Sequence, residues 1–152
     1  MIINDRNNFV PMIVKLLVGL GYENVNECEK ENIDITATKD GVKYCFKCRY
    51  DIDAIGEKYI NDLSRAAKAG NYDKAVFVTN SSFLSAAKKK GEADGIILWD
   101  RNTIDRLSIG VPASIQDRPV VRKKKKGLAI VLALVIVALL VVGFEYWYFF
   151  LR

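Results

Sequence analysis

Residues 127–144, GLAIVLALVIVALLVVGF, run for eighteen positions without a charged or strongly polar side chain. As a helix rising 1.5 Å per residue this stretch is roughly 27 Å long, close to the hydrocarbon thickness of a bilayer. A helix that is apolar on every side needs lipid, or a partner domain larger than the rest of this chain supplies. Tyr146, Trp147 and Tyr148 follow it as an interfacial belt, and residues 122–126 (RKKKK) precede it as a basic collar. Such a collar marks the cytoplasmic side. The expectation is a single-pass membrane protein anchored at its C-terminal end, with the bilayer as partner to residues 127–151 and the N-terminal part cytoplasmic. The run lies at the far end from a polar opening (MIINDRNN), which speaks against a secretory leader. Glu145 is expected at the far interface. Self-association into a homo-oligomer stays open, since no small-xxx-small pair stands out from the leucine and valine background.

The collar also explains the charge. The chain carries 23 Lys and Arg against 18 Asp and Glu, a formal +5. Six of those basic residues and one acid, Glu145, lie from Arg122 onward, which leaves 17 of each sign before it. The part that folds is neutral overall, so any polyanion must be held by a local patch.

Histidine is absent. That removes Ser-His and Cys-His nucleophiles, imidazole metal sites and histidine bases together, and leaves carboxylates, lysines and a metal as the means of hydrolysis. Three cysteines, Cys28, Cys45 and Cys48, are too few for a disulfide framework or a structural zinc site. Cys45 and Cys48 fall within a strand pattern, where positions three apart face opposite sides, so buried thiols are expected.

Along the first 110 residues the hydrophobic period changes in a readable order. Residues 9–20 (FVPMIVKLLVGL) have helical spacing, with Pro11 in the first turn. Residues 25–28 are a weak strand. Residues 33–38 (IDITAT) and 42–50 (VKYCFKCRY) alternate as strands around Lys39-Asp40-Gly41, a hairpin turn. A helix is expected over 56–69, a buried strand over 74–79 (KAVFVT), a helix over 82–90 capped by Ser81 or Ser82, a strand over 95–99 (GIILW), and a short helix over 102–107. Residues 111–126, with Pro112 and Pro119, read as linker and collar. The order α-β-β-β-α-β-α-β, hairpins first and parallel crossovers later, predicts a three-layer α/β sandwich on a mixed sheet over residues 1–110, plus one C-terminal transmembrane helix.

Four stretches carry a resemblance: LGY (Leu20, Gly21, Tyr22) closing the first helix, IDITATKDG with Asp34, FKCRY at 46–50, and AVFVTNSSF followed by GIILWDR. In order and spacing they resemble the Mrr-type (type IV) restriction endonucleases of the PD-(D/E)xK nuclease superfamily, from about Phe9 to Leu107. The resemblance implies a restriction-endonuclease-like fold that hydrolyses DNA with a divalent metal, Mg2+. It also implies a catalytic set on two neighbouring strands: an aspartate and, after a twelve-residue gap, a Gln/Glu-x-Lys. Asp34 takes the aspartate position, Lys47 the Gln/Glu position and Arg49 the Lys position. The metal would be held by carboxylate and carbonyl oxygens, for which Asp34 and Cys48 are the candidates.

This chain departs from the pattern. Lys47 puts an ammonium where relatives have an oxygen, and at ~4 Å two like charges in a partly buried site repel by several kcal/mol. Arg49 keeps a charge for the phosphate but cannot act as a base. Val10 stands where many relatives carry a helix glutamate. Lys47 could assume the lysine role, Glu57 or Lys58 could reach in from the following helix, or Asp51 could supply an oxygen. The plainer readings are that Asp34 is a solvated strand acid and that Lys47 and Arg49 alternate as on any half-exposed strand. Likewise, 79–81 (TNS) reads first as a helix cap, with a phosphate cradle as the alternative, and Lys88, Lys89 and Lys90 read first as a solvated helix end, with DNA backbone contact as the alternative.

Two functions are compatible with this pattern. One is a membrane-anchored, metal-dependent endonuclease acting on DNA. The other is a nuclease-like fold that no longer cuts and binds DNA or a protein, with Lys47 filling the emptied metal position. A tight Asp34–Lys47 pair supports the second, and an open acidic pocket beside Asp34 supports the first.

Overall fold

A two-residue turn organises the centre of the sheet. Asp40 and Gly41 both have positive φ, 53° and 78°, the type I′ geometry that matches the twist of paired strands and that Asp-Gly adopts readily. It joins β2 (Ile33–Lys39) to β3 (Val42–Arg49) with Lys39 opposite Val42 and Ile35 opposite Phe46. The computed structural model describes residues 6–111. The chain divides at Arg122 into two units, and these residues belong to the first. The expected membrane segment and most of the linker lie outside the described residues. Among the described residues no helix is long and apolar enough to cross a membrane.

Before the hairpin come a short 3-10 turn at Arg6–Asn8, α1 (Phe9–Gly19) and β1 (Glu23–Lys30). After it come α2 (Glu57–Ala69), β4 (Lys74–Thr79), α3 (Ser85–Asp94), β5 (Ile97–Trp99) and α4 (Arg101–Ile109). The five strands lie in the order β1-β2-β3-β4-β5, antiparallel for the first three and parallel from β3 to β5. This is the expected mixed sheet. Helices cover both faces. Phe9, Ile13 and Leu17 of α1 and Ile104 of α4 pack with Ile35, Phe46, Val76 and Val78 on one side. Ile60, Leu63 and Ala67 of α2 and Ala87 of α3 pack with Cys45, Ala75 and Phe77 on the other. β4, covered on both sides, is buried from Ala75 to Thr79.

Three expectations need correction. The strand expected only over 25–28 extends over Glu23–Lys30. It is polar because it is an edge strand, where charged side chains discourage further pairing. Neither Ser81 nor Ser82 caps α3, which begins at Ser85 after Leu84 with no side-chain cap. The segment before it is held instead against the loop after β3: Ile55 N–H donates to the Ser82 carbonyl at 2.8 Å, Leu84 N–H to the Ile55 carbonyl at 3.0 Å, and Ile55 bridges Phe83. The helix expected to end at Lys90 runs on through Gly91 to Asp94. Gly91 lies within the helix, where a Cβ would stand 3.1 Å from Leu98 Cδ1, so glycine lets α3 settle onto β5. The real stop is Gly95, at φ 70°.

Residue 111, just past the expected end of the domain, belongs to its core. Val111 is buried, and a Cβ on Gly19 would meet its Cγ1 at 2.3 Å. The end of α1 and the second residue after α4 are in contact only because position 19 has no side chain.

Candidate active site

Register and pleat assemble the site. β2 and β3 pair through Ile35 and Phe46, and one step further along each strand Asp34 faces Lys47. Side chains alternate across a strand, so Lys47 and Arg49 share the α2 side with Cys45, while Phe46 and Cys48 turn to the α1 side. The site therefore lies where β3 gives way to the loop leading into α2.

Lys47 Nζ is 3.1 Å from Asp34 Oδ1, with each side chain 26% exposed. The other carboxylate oxygen, Oδ2, accepts the Cys48 backbone N–H at 2.7 Å. Both oxygens of Asp34 are thus engaged from within the chain. The Cys48 side chain packs against the α1-side core. Its thiol ionises well above the usual range, through burial first and the charge of Asp34 second.

Arg49 turns away from this pair. Its Nη2 is 2.8 Å from Asp51 Oδ2, the same oxygen that accepts from Nε at 2.8 Å. Its guanidinium carbon is 4.1 Å from the centre of the Tyr59 ring on α2. The hydrogen bond from Arg49 is the largest of the effects that hold the Asp51 carboxyl below its ordinary value. Asp51 Oδ1 also accepts the N–H groups of Ile52 at 2.9 Å and Asp53 at 3.4 Å. Asn80 Oδ1 accepts the N–H of Asp51 at 2.7 Å. The loop after β3 is thereby fixed to the end of β4.

The remaining candidates stand apart from Asp34. Glu57 and Lys58 are exposed in the first turn of α2 and line a polar groove of about 650 Å3 between α2 and α3, with Arg65, Lys68, Lys90 and Asp94. Lys90 pairs with Asp94 at 3.0 Å. Lys88 borders a different depression, with Glu92 and Asp100, while Lys89 is exposed. The three lysines therefore do not form one patch. Val10 packs against the α1-side core and offers no carboxylate. Thr79, Asn80 and Ser81 make a turn, Thr79 Oγ1 accepting the Ser81 N–H at 3.2 Å.

Tyr59 was not foreseen as a site residue, and Asn80 was foreseen only as part of the 79–81 turn. The contact between β3 and α2 is tertiary, so nothing in local spacing announces Tyr59. Asp51-Ile52-Asp53 directly after a strand does carry the signature of an aspartate-capped turn, which could have been read.

The implied divalent metal does not fit this arrangement. An ammonium sits on one oxygen of Asp34, a backbone N–H sits on the other, and Asp51 is committed to Arg49 and the loop amides. Among the described residues no group of three or more His, Cys, Asp or Glu could hold an ion.

A family model, that of the Mrr catalytic domain of restriction endonucleases, matches residues 4–108. The chain belongs to that family. As an Mrr-family domain it has solved structural neighbours. One is AF1548, a protein of unknown function, with TM-score 0.56, 22% identity, and coverage of 79% of this chain and 73% of that one. Another is the DNA modification-dependent restriction endonuclease AspBHI, with TM-score 0.54, 19% identity, and coverage of 72% and 33%. A third is the MspJI restriction endonuclease solved with a 27-mer oligonucleotide, with TM-score 0.51, 13% identity, and coverage of 78% and 34%. At these identities the likeness is one of fold. The Mrr-family chain spans only about a third of AspBHI and of MspJI. No curated protein matches it.

Proposed function

We propose that this Mrr-family domain binds DNA without cutting it and is tethered to a membrane through the apolar run at 127–144. The observation that carries the non-cleaving part is the double engagement of Asp34, by Lys47 Nζ at 3.1 Å and by the Cys48 N–H at 2.7 Å. Hydrolysis in this family would require a metal at that carboxylate, and the ammonium of Lys47 occupies the same side of it. The DNA-binding part is supported by family membership and by a structural neighbour solved with an oligonucleotide. Lys47 and Arg49, both partly exposed, are cations on one face of β3, and such side chains contact phosphate oxygens. The basic collar and the aromatic residues flanking the apolar run support the tether, with the folded domain on the cytoplasmic side.

One observation favours a second reading, a membrane-anchored endonuclease dependent on Mg2+. Asp34 and Lys47 are each 26% exposed, and pairs at the solvent boundary are worth only about 0–1 kcal/mol, so DNA and a metal arriving together could separate them.

A plasmid assay decides between the two. The full chain in detergent is incubated with supercoiled plasmid, methylated and unmethylated, in magnesium and in manganese, beside Asp34→Ala and with a gel shift on the same DNA. Retardation without nicking is the expected result. Nicking that needs the metal and disappears in Asp34→Ala establishes the endonuclease instead, and neither retardation nor nicking removes DNA as the ligand.

A further inference from the structure

The misfit between the metal position and its residues has a chemical meaning of its own. A divalent ion at Asp34 would bring two positive charges, accept carboxylate oxygens and leave room for a phosphate oxygen. Lys47 brings one charge to the same carboxylate at 3.1 Å. An ammonium has three donors and a guanidinium five. One donor of Lys47 is used on Asp34, and the Nε of Arg49 is used on Asp51, whose Oδ2 also lies 2.8 Å from Nη2. Arg49 is kept off Asp34 by two independent restraints, the Asp51 carboxylate and the Tyr59 ring at 4.1 Å. Two cations are thus fixed on one face of β3, each paired with its own aspartate and, among the described residues, each retaining N–H donors beyond those pairs.

We infer that Lys47 is the resident cation of this site: it excludes divalent metals from Asp34 and, with Arg49, presents N–H donors that take a phosphodiester oxygen with no metal present. The exclusion of metal stands on the Asp34–Lys47 geometry alone. The identity of the anion rests on the DNA-binding reading above.

The test separates the two. Manganese binding to the full chain in detergent is followed by electron paramagnetic resonance, without DNA, for the wild type, Lys47→Glu, Lys47→Gln and Asp34→Asn. Wild type and Asp34→Asn are expected to match, with no saturable site. Lys47→Glu, which restores an oxygen beside Asp34, is expected to bind at least about tenfold more tightly than wild type, with Lys47→Gln between them. Thermal unfolding checks that each variant is folded. A saturable wild-type site that disappears in Asp34→Asn overturns the inference, as does the absence of new binding in both folded Lys47 variants.

The second arm measures affinity for a double-stranded oligonucleotide in EDTA and in magnesium at matched ionic strength. Equal affinities, within about twofold, are expected. A loss of about tenfold or more in EDTA overturns metal-free recognition. Absence of oligonucleotide binding under both conditions refutes the phosphate half and the DNA-binding reading with it, while the manganese titration still judges the role of Lys47.

Discussion

The guanidinium of Arg49 stacks on Tyr59, 4.1 Å from the ring centre, while Asp51 Oδ2 accepts from its Nε and lies 2.8 Å from its Nη2. One residue thereby joins the end of β3, the following loop and the first turns of α2. Stacking of this kind contributes about 0.5–1 kcal/mol at partly exposed sites. Tyr59→Phe keeps the ring and is expected to match wild type in urea unfolding, whereas Tyr59→Ala loses the stack together with the ring's packing against the α2-side core. If Arg49 is a DNA contact, Tyr59→Ala also weakens oligonucleotide binding by letting the guanidinium wander.

The Asp34–Lys47 pair predicts an asymmetric response to mutation. Asp34→Asn turns one acceptor oxygen into a donor facing Lys47 or the Cys48 N–H, at a cost of about 1–3 kcal/mol. Lys47→Met leaves Asp34 with its Cys48 hydrogen bond and solvent access, and costs less. A double-mutant cycle should return a coupling energy of about 1 kcal/mol or below, shrinking as salt is added. A large coupling that ignores salt contradicts a pair at the solvent boundary.

Asp51 sets a pH dependence. Its carboxyl is held below the ordinary 3.8, chiefly by the hydrogen bond from Arg49. A depressed carboxylate contributes stability that is fully present above its unfolded value and is lost as pH falls through the folded one. The stability gap between wild type and Asp51→Asn should therefore be constant from about pH 5 to 8 and close only below about pH 4. Urea unfolding across that range checks it, and a gap that instead closes near neutrality would assign the effect to another group.

Burial pushes the Cys45 thiol up to about 12, and Cys48 moves in the same direction. Only the thiolate is nucleophilic. At pH 8 Cys45 and Cys48 of the folded chain should resist iodoacetamide and become reactive in denaturant, as mass spectrometry of the labelled peptides would reveal.

Gly19 tests the closure of the domain. Alanine there would meet Val111 Cγ1 at 2.3 Å, and overpacking of this kind costs about 1–3 kcal/mol, partly offset by alanine's better helix propensity. Val111→Ala should rescue Gly19→Ala, so that the double variant is more stable than additivity of the two singles predicts.

Local chemistry determined most of the secondary structure in advance. The Asp40-Gly41 turn, the alternation of β2 and β3, the buried run of β4 and the helical periods of α1 and α2 each follow from spacing within a few residues, and together they implied the mixed sheet. The twelve-residue gap from Asp34 to Lys47 likewise brought those positions opposite one another, because a tight two-residue hairpin leaves little choice of register. Tertiary structure decided what these residues do there. Whether Lys47 pairs with Asp34 or points to solvent, whether Arg49 faces Asp34 or is drawn to Asp51 and Tyr59, and whether Asn80 pins the loop all depend on how α2 and the end of β4 pack against β3. Sequence spacing carries no information about contacts between elements whose separation is set by packing, and so α3 started three residues after its apparent cap and Lys88, Lys89 and Lys90 dispersed around it.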